Sequence, residues 1–184
     1  VKPGIYLRQA NGHKEVFVTN SGEYPKFDNA GKRIYYQTGG NLFGSLEKTF
    51  SSCKPDGSDV QCIFKSKYGS QFTVSPDGKW VAFVDLHEVY VAAFPHTGKT
   101  ISLNSGTDDF PVKKVSLDAG INLQWSSDNK HLHYTLGDQY YSINLADRFE
   151  FIANHPDSLF KLPERGINVG LTARTDKPKG SIAF

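Results

Sequence analysis

Short apolar runs alternate with clusters of turn residues along most of this chain. The clearest case is Phe72-Thr73-Val74, then Ser75-Pro76-Asp77-Gly78-Lys79, then Trp80-Val81-Ala82-Phe83-Val84. Aromatic and β-branched runs bounded by Pro, Asp and Gly predict two strands joined by a tight turn. Pro76 pre-sets φ at the first corner, Asp77 tolerates the second, and Gly78 supplies a positive φ. Trp80 to Val84 is apolar without alternation, so both faces of that strand are expected to be covered.

The same pattern occurs three times. The first copy has Tyr24-Pro25-Lys26-Phe27, the turn Asp28-Asn29-Ala30-Gly31-Lys32, and Ile34-Tyr35-Tyr36. The third has Leu123-Gln124-Trp125, the turn Ser126-Ser127-Asp128-Asn129-Lys130, and His131-Leu132-His133-Tyr134. Lys32, Lys79 and Lys130 fall in register, 47 and 51 residues apart. Phe27, Val74 and Trp125 then align as the last inward residue of each first strand. Gly31, Gly78 and Asn129 align at the positive-φ corner, where Asn is the usual substitute for Gly. Asp77 and Asp128 are read as turn-shaping residues through Asx hydrogen bonds.

Each copy continues into two more expected strands. In the first these pass through Leu42-Phe43 and residues 60–64; in the second, residues 89–94 and Ile101-Ser102-Leu103; in the third, residues 140–145 and Phe149-Glu150-Phe151-Ile152. A strand–turn unit of this length with four strands predicts a β-propeller blade, which covers its sheet faces by stacking on its neighbours. Before the copies stands one hairpin, Ile5-Tyr6-Leu7-Arg8 and Glu15-Val16-Phe17-Val18, read as the outer half of a blade. The expected fold is therefore all-β, a partial β-propeller of about three and a half four-stranded blades. The expected boundaries are 1–20 for the half blade and 21–66, 67–116 and 117–155 for the blades. Residues 156–184, with short strands at 167–173 and 181–184, lead toward a following domain. The chain starts at Val1 and contains no Met, so it is expected to be a piece of a longer protein.

Composition adds exclusions. With 21 basic and 19 acidic residues the net charge is +2, which supports neither nucleic-acid binding nor an anionic membrane surface. The apolar runs are far too short to span a bilayer. The cysteines, Cys53 and Cys62, flank Lys54-Pro55-Asp56-Gly57-Ser58-Asp59. Across such a hairpin they form either a disulfide, in an oxidising compartment, or two free thiols.

Three and a half blades do not close a ring, and the end sheets would expose apolar surface. The partner expected there is the rest of a parent chain or a second copy, making a homodimer.

Several stretches carry a resemblance. Ser75-Pro76-Asp77-Gly78-Lys79 resembles the repeat of TolB-like propellers. Lys65-Ser66-Lys67-Tyr68, residues 75–83, Leu86-His87-Glu88-Val89-Tyr90-Val91 and Gln124-Trp125-Ser126-Ser127-Asp128 together resemble the TolB-like propeller attached to bacterial metal-dependent amidohydrolases. The tail Asp176-Lys177-Pro178-Lys179-Gly180-Ser181-Ile182-Ala183-Phe184 is similar to the first strand of the small β-domain that opens the amidohydrolase part. The resemblance implies an exported parent, periplasmic or secreted, with a (β/α)₈ catalytic barrel beyond this chain.

No catalytic, metal or cofactor site is expected within the chain itself. The histidines are His13, His87, His96, His131, His133 and His155, and none joins a Cys or Asp at metal-ligand spacing. His131-Leu132-His133 has the family's His-x-His spacing but lies in a blade strand, where alternate residues merely share a face. There is no G-x-S-x-G elbow and no phosphate-cradling loop. The pair Asp108-Asp109 reads as solvated loop. Tyr35, Tyr36, Trp80, Phe83, Trp125, Tyr134, Tyr140 and Tyr141 read as interblade packing, with one of each adjacent Tyr pair on either face. A carbohydrate platform is the alternative for that set.

The expected function is a non-catalytic propeller module of a larger amidohydrolase-type hydrolase, serving as scaffold, access gate or docking surface. The alternatives are a stand-alone TolB-like interaction module of the cell envelope and the gating propeller of a prolyl-oligopeptidase-like serine peptidase.

Overall fold

The structure is a computed structural model, and it describes residues 3–12, 14–40, 46–107, 111–146 and 167–169. All fifteen elements formed by these residues are strands. The hairpin β1 (Ile5–Arg8) and β2 (Glu15–Thr19) is a separate two-stranded sheet. Blade 1 contains β3 (Glu23–Phe27), β4 (Ile34–Gly39), β5 (Lys48–Cys53) and β6 (Gln61–Ser66). Blade 2 starts with β7 (Gly69–Val74), β8 (Trp80–Asp85) and β9 (Glu88–Ala93). After the short β10 (Ile101–Ser102) it is completed by β11 (Val112–Ala119). Blade 3 contains β12 (Ile121–Trp125), β13 (His131–Leu136), β14 (Gln139–Asn144) and β15 (Ile167–Val169). Three meandering sheets face one another in sequence, with the hairpin against the outer face of the first: a partial β-propeller.

Four expectations need correction. The third strand of blade 1 is Lys48–Cys53, whereas Leu42 and Phe43 lie outside the described residues. Ile101 and Ser102 are not the outer strand of blade 2. They cross over to pair in parallel with β6, opposite Phe64 and Lys65. The cause is burial: Leu103, next in line, is fully buried among the phenylalanines between blades 1 and 2. The outer strand of blade 2 is β11, which runs past the expected boundary at 116. Ile167–Val169, expected outside the repeat, pairs with β14 as the fourth strand of blade 3. The residues read for that role, 149–152, lie outside the described set, as do the remaining tail strands, His13, His155, Asp108 and Asp109.

Strand alternation divides the core. In β8, Val81 and Phe83 point toward blade 1, while Ala82 and Val84 point toward blade 3. This is why residues 80–84 are apolar without a break. The first seam, between blades 1 and 2, buries Phe50, Phe64, Phe72, Phe83 and Phe94. Rings of this set stack face to face, Phe50 on Phe72 at 5.2 Å and Phe72 on Phe83 at 5.7 Å. The second seam, between blades 2 and 3, buries Val84, Val89, Val91, Val115, Leu132, Tyr134, Tyr141 and Ile143. Adjacent tyrosines split as expected: Tyr35 faces the first seam and Tyr36 the hairpin, while Tyr141 faces the second seam and Tyr140 stacks on His133 on the opposite face. Ile5 and Val18 of the hairpin cover Ile34, Tyr36 and Cys53 of blade 1.

The cross-hairpin disulfide is not formed here. Cys53 and Cys62 are free thiols. The ladder sets Cys62 opposite Ser51 and Gln61 opposite Ser52, after a bulge, so the two cysteines are offset along the strands. The turn between them is held instead by Arg33, whose guanidinium donates to the Asp59 carboxylate and carbonyl, both at 2.7 Å, and to Ser52.

Candidate functional site at the propeller axis

The innermost strands β3, β7 and β12 bring the three repeat turns to one end of the axis. The turns are built alike. Gly31, Gly78 and Asn129 take φ of 67°, 70° and 62°. In blade 2, Asp77 Oδ1 accepts from the Ser75 hydroxyl at 2.6 Å and the Lys79 N–H at 3.1 Å. Burial alone would raise the Asp77 pKa, but these hydrogen bonds and the Lys79 charge outweigh it and hold the carboxyl below the usual range. Asp128 accepts from Ser126 and Lys130 in the same way. In blade 1, Asp28 stands at the start of the turn and accepts from the Lys32 and Arg33 N–H groups.

Each innermost strand also carries a bulge that pattern reading missed. The ladder slips between Glu23 and Lys26, between Ser70 and Thr73, and between Ile121 and Gln124. At each slip sits a non-glycine residue with positive φ: Tyr24 at 52°, Gln71 at 51° and Asn122 at 58°. They repeat at the same 47- and 51-residue spacing as the turns. Two of the bulges free N–H groups that side chains of the preceding blade accept. Gln37 Oε1 takes the Gln71 N–H at 3.0 Å, and Gln71 Oε1 takes the Asn122 N–H at 2.7 Å. The bulges at Gln71 and Asn122 thus each latch their blade to the preceding one. Only Asn122 has a residue type prone to this conformation, so composition alone gives little warning.

Three equivalent residues, Lys26, Thr73 and Gln124, follow the bulges. Lys26 Nζ donates to Thr73 Oγ1 at 3.1 Å and to the Leu123 carbonyl at 3.2 Å, so one side chain ties all three blades at the axis. Burial lowers its pKa from the ordinary lysine value. Among the described residues no carboxylate lies within ion-pair distance of it.

A pocket of about 610 Å³ opens beside Lys26 at the mouth of the first seam. Its walls include Phe27, Tyr35, Phe72, Val74 and Trp125, with the turns at Asp28-Asn29-Ala30 and Ser75-Pro76-Asp77-Gly78 above them. The pocket exists because the seams differ at two repeat positions. In the second seam, Asn129 Oδ1 accepts the Asp77 N–H at 2.8 Å, and the Trp125 indole donates to the Thr73 carbonyl at 2.9 Å. In the first, Gly78 and Val74 occupy those positions and have no such group. A Cβ at Gly78 would meet nothing within 4 Å.

Elsewhere His96, His131 and His133 make structural contacts. His131 and His133 share a face of β13 with ring centroids 6.3 Å apart, His133 stacks on Tyr140 at 5.4 Å, and His96 meets the Gly78 carbonyl at 2.9 Å. Among the described residues no group of three or more His, Cys, Asp or Glu side chains is placed to hold a metal, and no helix is long and apolar enough to cross a membrane.

Phe27 breaks the repeat in another way. Its equivalents Val74 and Trp125 pack against the first and second seams, whereas Phe27 is 55% exposed and Tyr24 on the same strand is 54% exposed. The hairpin covers β4 and β5 but not β3.

Comparison with known proteins agrees with the architecture. No protein-family model matches the chain, and no curated protein matches it by sequence. Among solved structures it is similar to TolB from Acinetobacter baumannii, with a TM-score of 0.57 at 19% identity, covering 80% of this chain and 37% of that one. Weaker similarities are to the β-propeller domain of the Trilobed protease from Pyrococcus furiosus (TM-score 0.41, 18% identity, 67% of this chain and 38% of that one) and to an acylaminoacyl peptidase (TM-score 0.42, 18% identity, 67% and 23%). The chain thus spans little more than a third of the TolB chain. The TolB match supports the propeller fold and nothing finer.

Proposed function

We propose that this chain is a non-catalytic propeller module of a larger, exported hydrolase of the amidohydrolase type, acting as scaffold, access gate or docking surface. The resemblance of residues 65–91 and 124–128 to such propellers supports the parent. The observation that carries the docking role is the uncovered inner half of blade 1, where Phe27 is exposed although its equivalents Val74 and Trp125 are partly buried, with Tyr24 exposed on the same strand. The rest of the parent, or a second copy, covers that face. Export to the periplasm or beyond follows from the same resemblance.

The test combines two measurements. Light scattering at micromolar concentration, with and without Phe27→Asp, reads self-association through the face. A dimer that Phe27→Asp splits assigns the face to a second copy. A monomer leaves it to the parent, where Phe27→Asp is expected to impair coupling between propeller and catalytic part. Ester or amide hydrolysis by the isolated chain, abolished by mutating one of its own residues, would overturn the non-catalytic role. The axial pocket favours a second reading, a stand-alone TolB-like interaction module. For that module, Gly78→Asn, which fills the pocket, would weaken ligand binding and leave self-association unchanged.

A further inference from the structure

The axial pocket has the attributes of a built ligand site, and they hold whatever the parent is. Its volume lies in the range of small-molecule sites. Phe27, Tyr35, Phe72, Val74 and Trp125 contribute aromatic and apolar side chains to a lining that is about half polar. Lys26 gives it one ammonium group. An ammonium has three N–H donors, and here two of them meet neutral oxygens, Thr73 Oγ1 and the Leu123 carbonyl. The two carboxylates in the pocket wall are engaged elsewhere. Asp28 Oδ1 accepts from Lys32 and Arg33, and Asp77 Oδ1 from Ser75 and Lys79. A half-buried ammonium among neutral partners is a receptor for an anion.

The surroundings narrow the class of anion. Lys26 is the one cation among the described lining residues and can pair one negative charge, so the second charge of a dianion such as a phosphate ester would stand unpaired beside Asp28 and Asp77. A single carboxylate matches the charge. The aromatic walls match an apolar or aromatic body attached to it.

We propose that the axial pocket binds a monocarboxylate carried on an apolar, aromatic-sized body, with Lys26 pairing the carboxylate and Trp125 and Tyr35 packing on the body. A free small acid and the C-terminus of a peptide ending in an aromatic residue present the same chemistry.

The test is a titration of the ¹⁵N-labelled chain, following the Trp125 indole N–H, which Trp125→Phe identifies by removing it. The probes are N-acetyl-L-phenylalanine, its amide, and an acetylated tripeptide ending in Phe with a free carboxylate. Saturable shifts with the acid, and binding about tenfold or more weaker with the amide, are expected for a charge-assisted contact. Lys26→Met should remove the difference between acid and amide, and Gly78→Asn should weaken both by filling the pocket. Each variant's thermal melt checks that it is folded. Binding of the tripeptide as tight as the acid assigns the site to peptide termini, and binding of the acid alone assigns it to small acids; both support a carboxylate site. Equal binding of acid and amide, no shift with any probe, or acid binding unchanged in folded Lys26→Met would overturn it.

Discussion

The two seams of this propeller arc are built from one repeated unit and solve the same packing problem differently. The first, between blades 1 and 2, is a stack of phenylalanines closed by the crossover strand and Leu103. The second, between blades 2 and 3, is mostly aliphatic, with Tyr134 and Tyr141 stacked at 5.1 Å. At the axis the difference reverses. The second seam is closed by the Trp125 indole and the Asn129 amide, whereas the first is open at Val74 and Gly78. A repeat therefore tolerates a gap at a seam mouth while its core stays filled. The gap costs two hydrogen bonds and leaves room for a ligand.

The largest expected effect tests the core of the first seam. Phe64→Ala removes a fully buried ring from the stack and is expected to lower stability by about 3–5 kcal/mol. Phe27→Ala, the same change at the uncovered face, should stay within about 0.5 kcal/mol. Urea midpoints at constant m-value measure both. Equal losses would mean that Phe27 is covered in the isolated chain.

Trp125→Phe keeps most of the ring and removes the bond to the Thr73 carbonyl. A loss of about 1–2 kcal/mol is expected, with no counterpart for Val74→Ala beyond its methyl groups. Gln71→Ala leaves the bulge N–H of Asn122 without its acceptor and should cost about 1 kcal/mol by the same measurement.

A smaller pair exchanges the seam mouths. Asn129→Gly keeps the positive φ and removes the link to Asp77, for an expected loss of about 0.5–1 kcal/mol. Gly78→Asn places an amide at the equivalent corner of the first seam, which has the φ and the space for it, and is expected to be neutral or slightly stabilising. A clear destabilisation would show that the two turns are not equivalent.

The last prediction concerns pH. Tyr90 stacks on Phe83 in the first seam, and its hydroxyl donates to Glu88 at 2.7 Å. Burial first, then that hydrogen bond and the Glu88 charge, push the phenol up to about 12. The unfolded chain loses this proton near pH 10, before the folded one does. The contribution of Tyr90 is therefore fully present below about pH 10 and lost as pH rises toward 12. Tyr90→Phe should flatten the alkaline fall in stability measured over that window, and a variant that falls as steeply as the parent protein would refute the assignment.

The first hairpin of each blade and the turn corners were legible from sequence because they rest on local chemistry. Pro76, Asp77, Gly78 and Asn129 have backbone preferences that need no partner, and residues 80–84 declare a strand covered on both faces. The crossover of Ile101 and Ser102 was not legible. Two short apolar residues pair wherever an edge and a buried site coincide, and the site for Leu103 is made by blade 1, far away in sequence. The bulges at Tyr24 and Gln71 were hidden for a like reason. Neither residue favours positive φ, and their conformation is held by the ladders around them and, at Gln71, by Gln37 on the neighbouring blade. The absence of a Cys53 to Cys62 pairing follows from the register of the β5–β6 ladder, which spacing does not reveal and which a bulge shifts one residue further from a match.

The candidate site follows the same division. Sequence placed Lys26, Val74, Gly78, Trp125 and Asn129 at repeat positions and gave no reason to single out Lys26. By itself it determined the unit: a hairpin signature, its period and the apolar pattern that makes sheets stack. Only the tertiary structure decided what differs between units. A seam mouth is open or closed according to whether the side chain at one blade's corner reaches the next blade, and that distance exists only once the blades are packed.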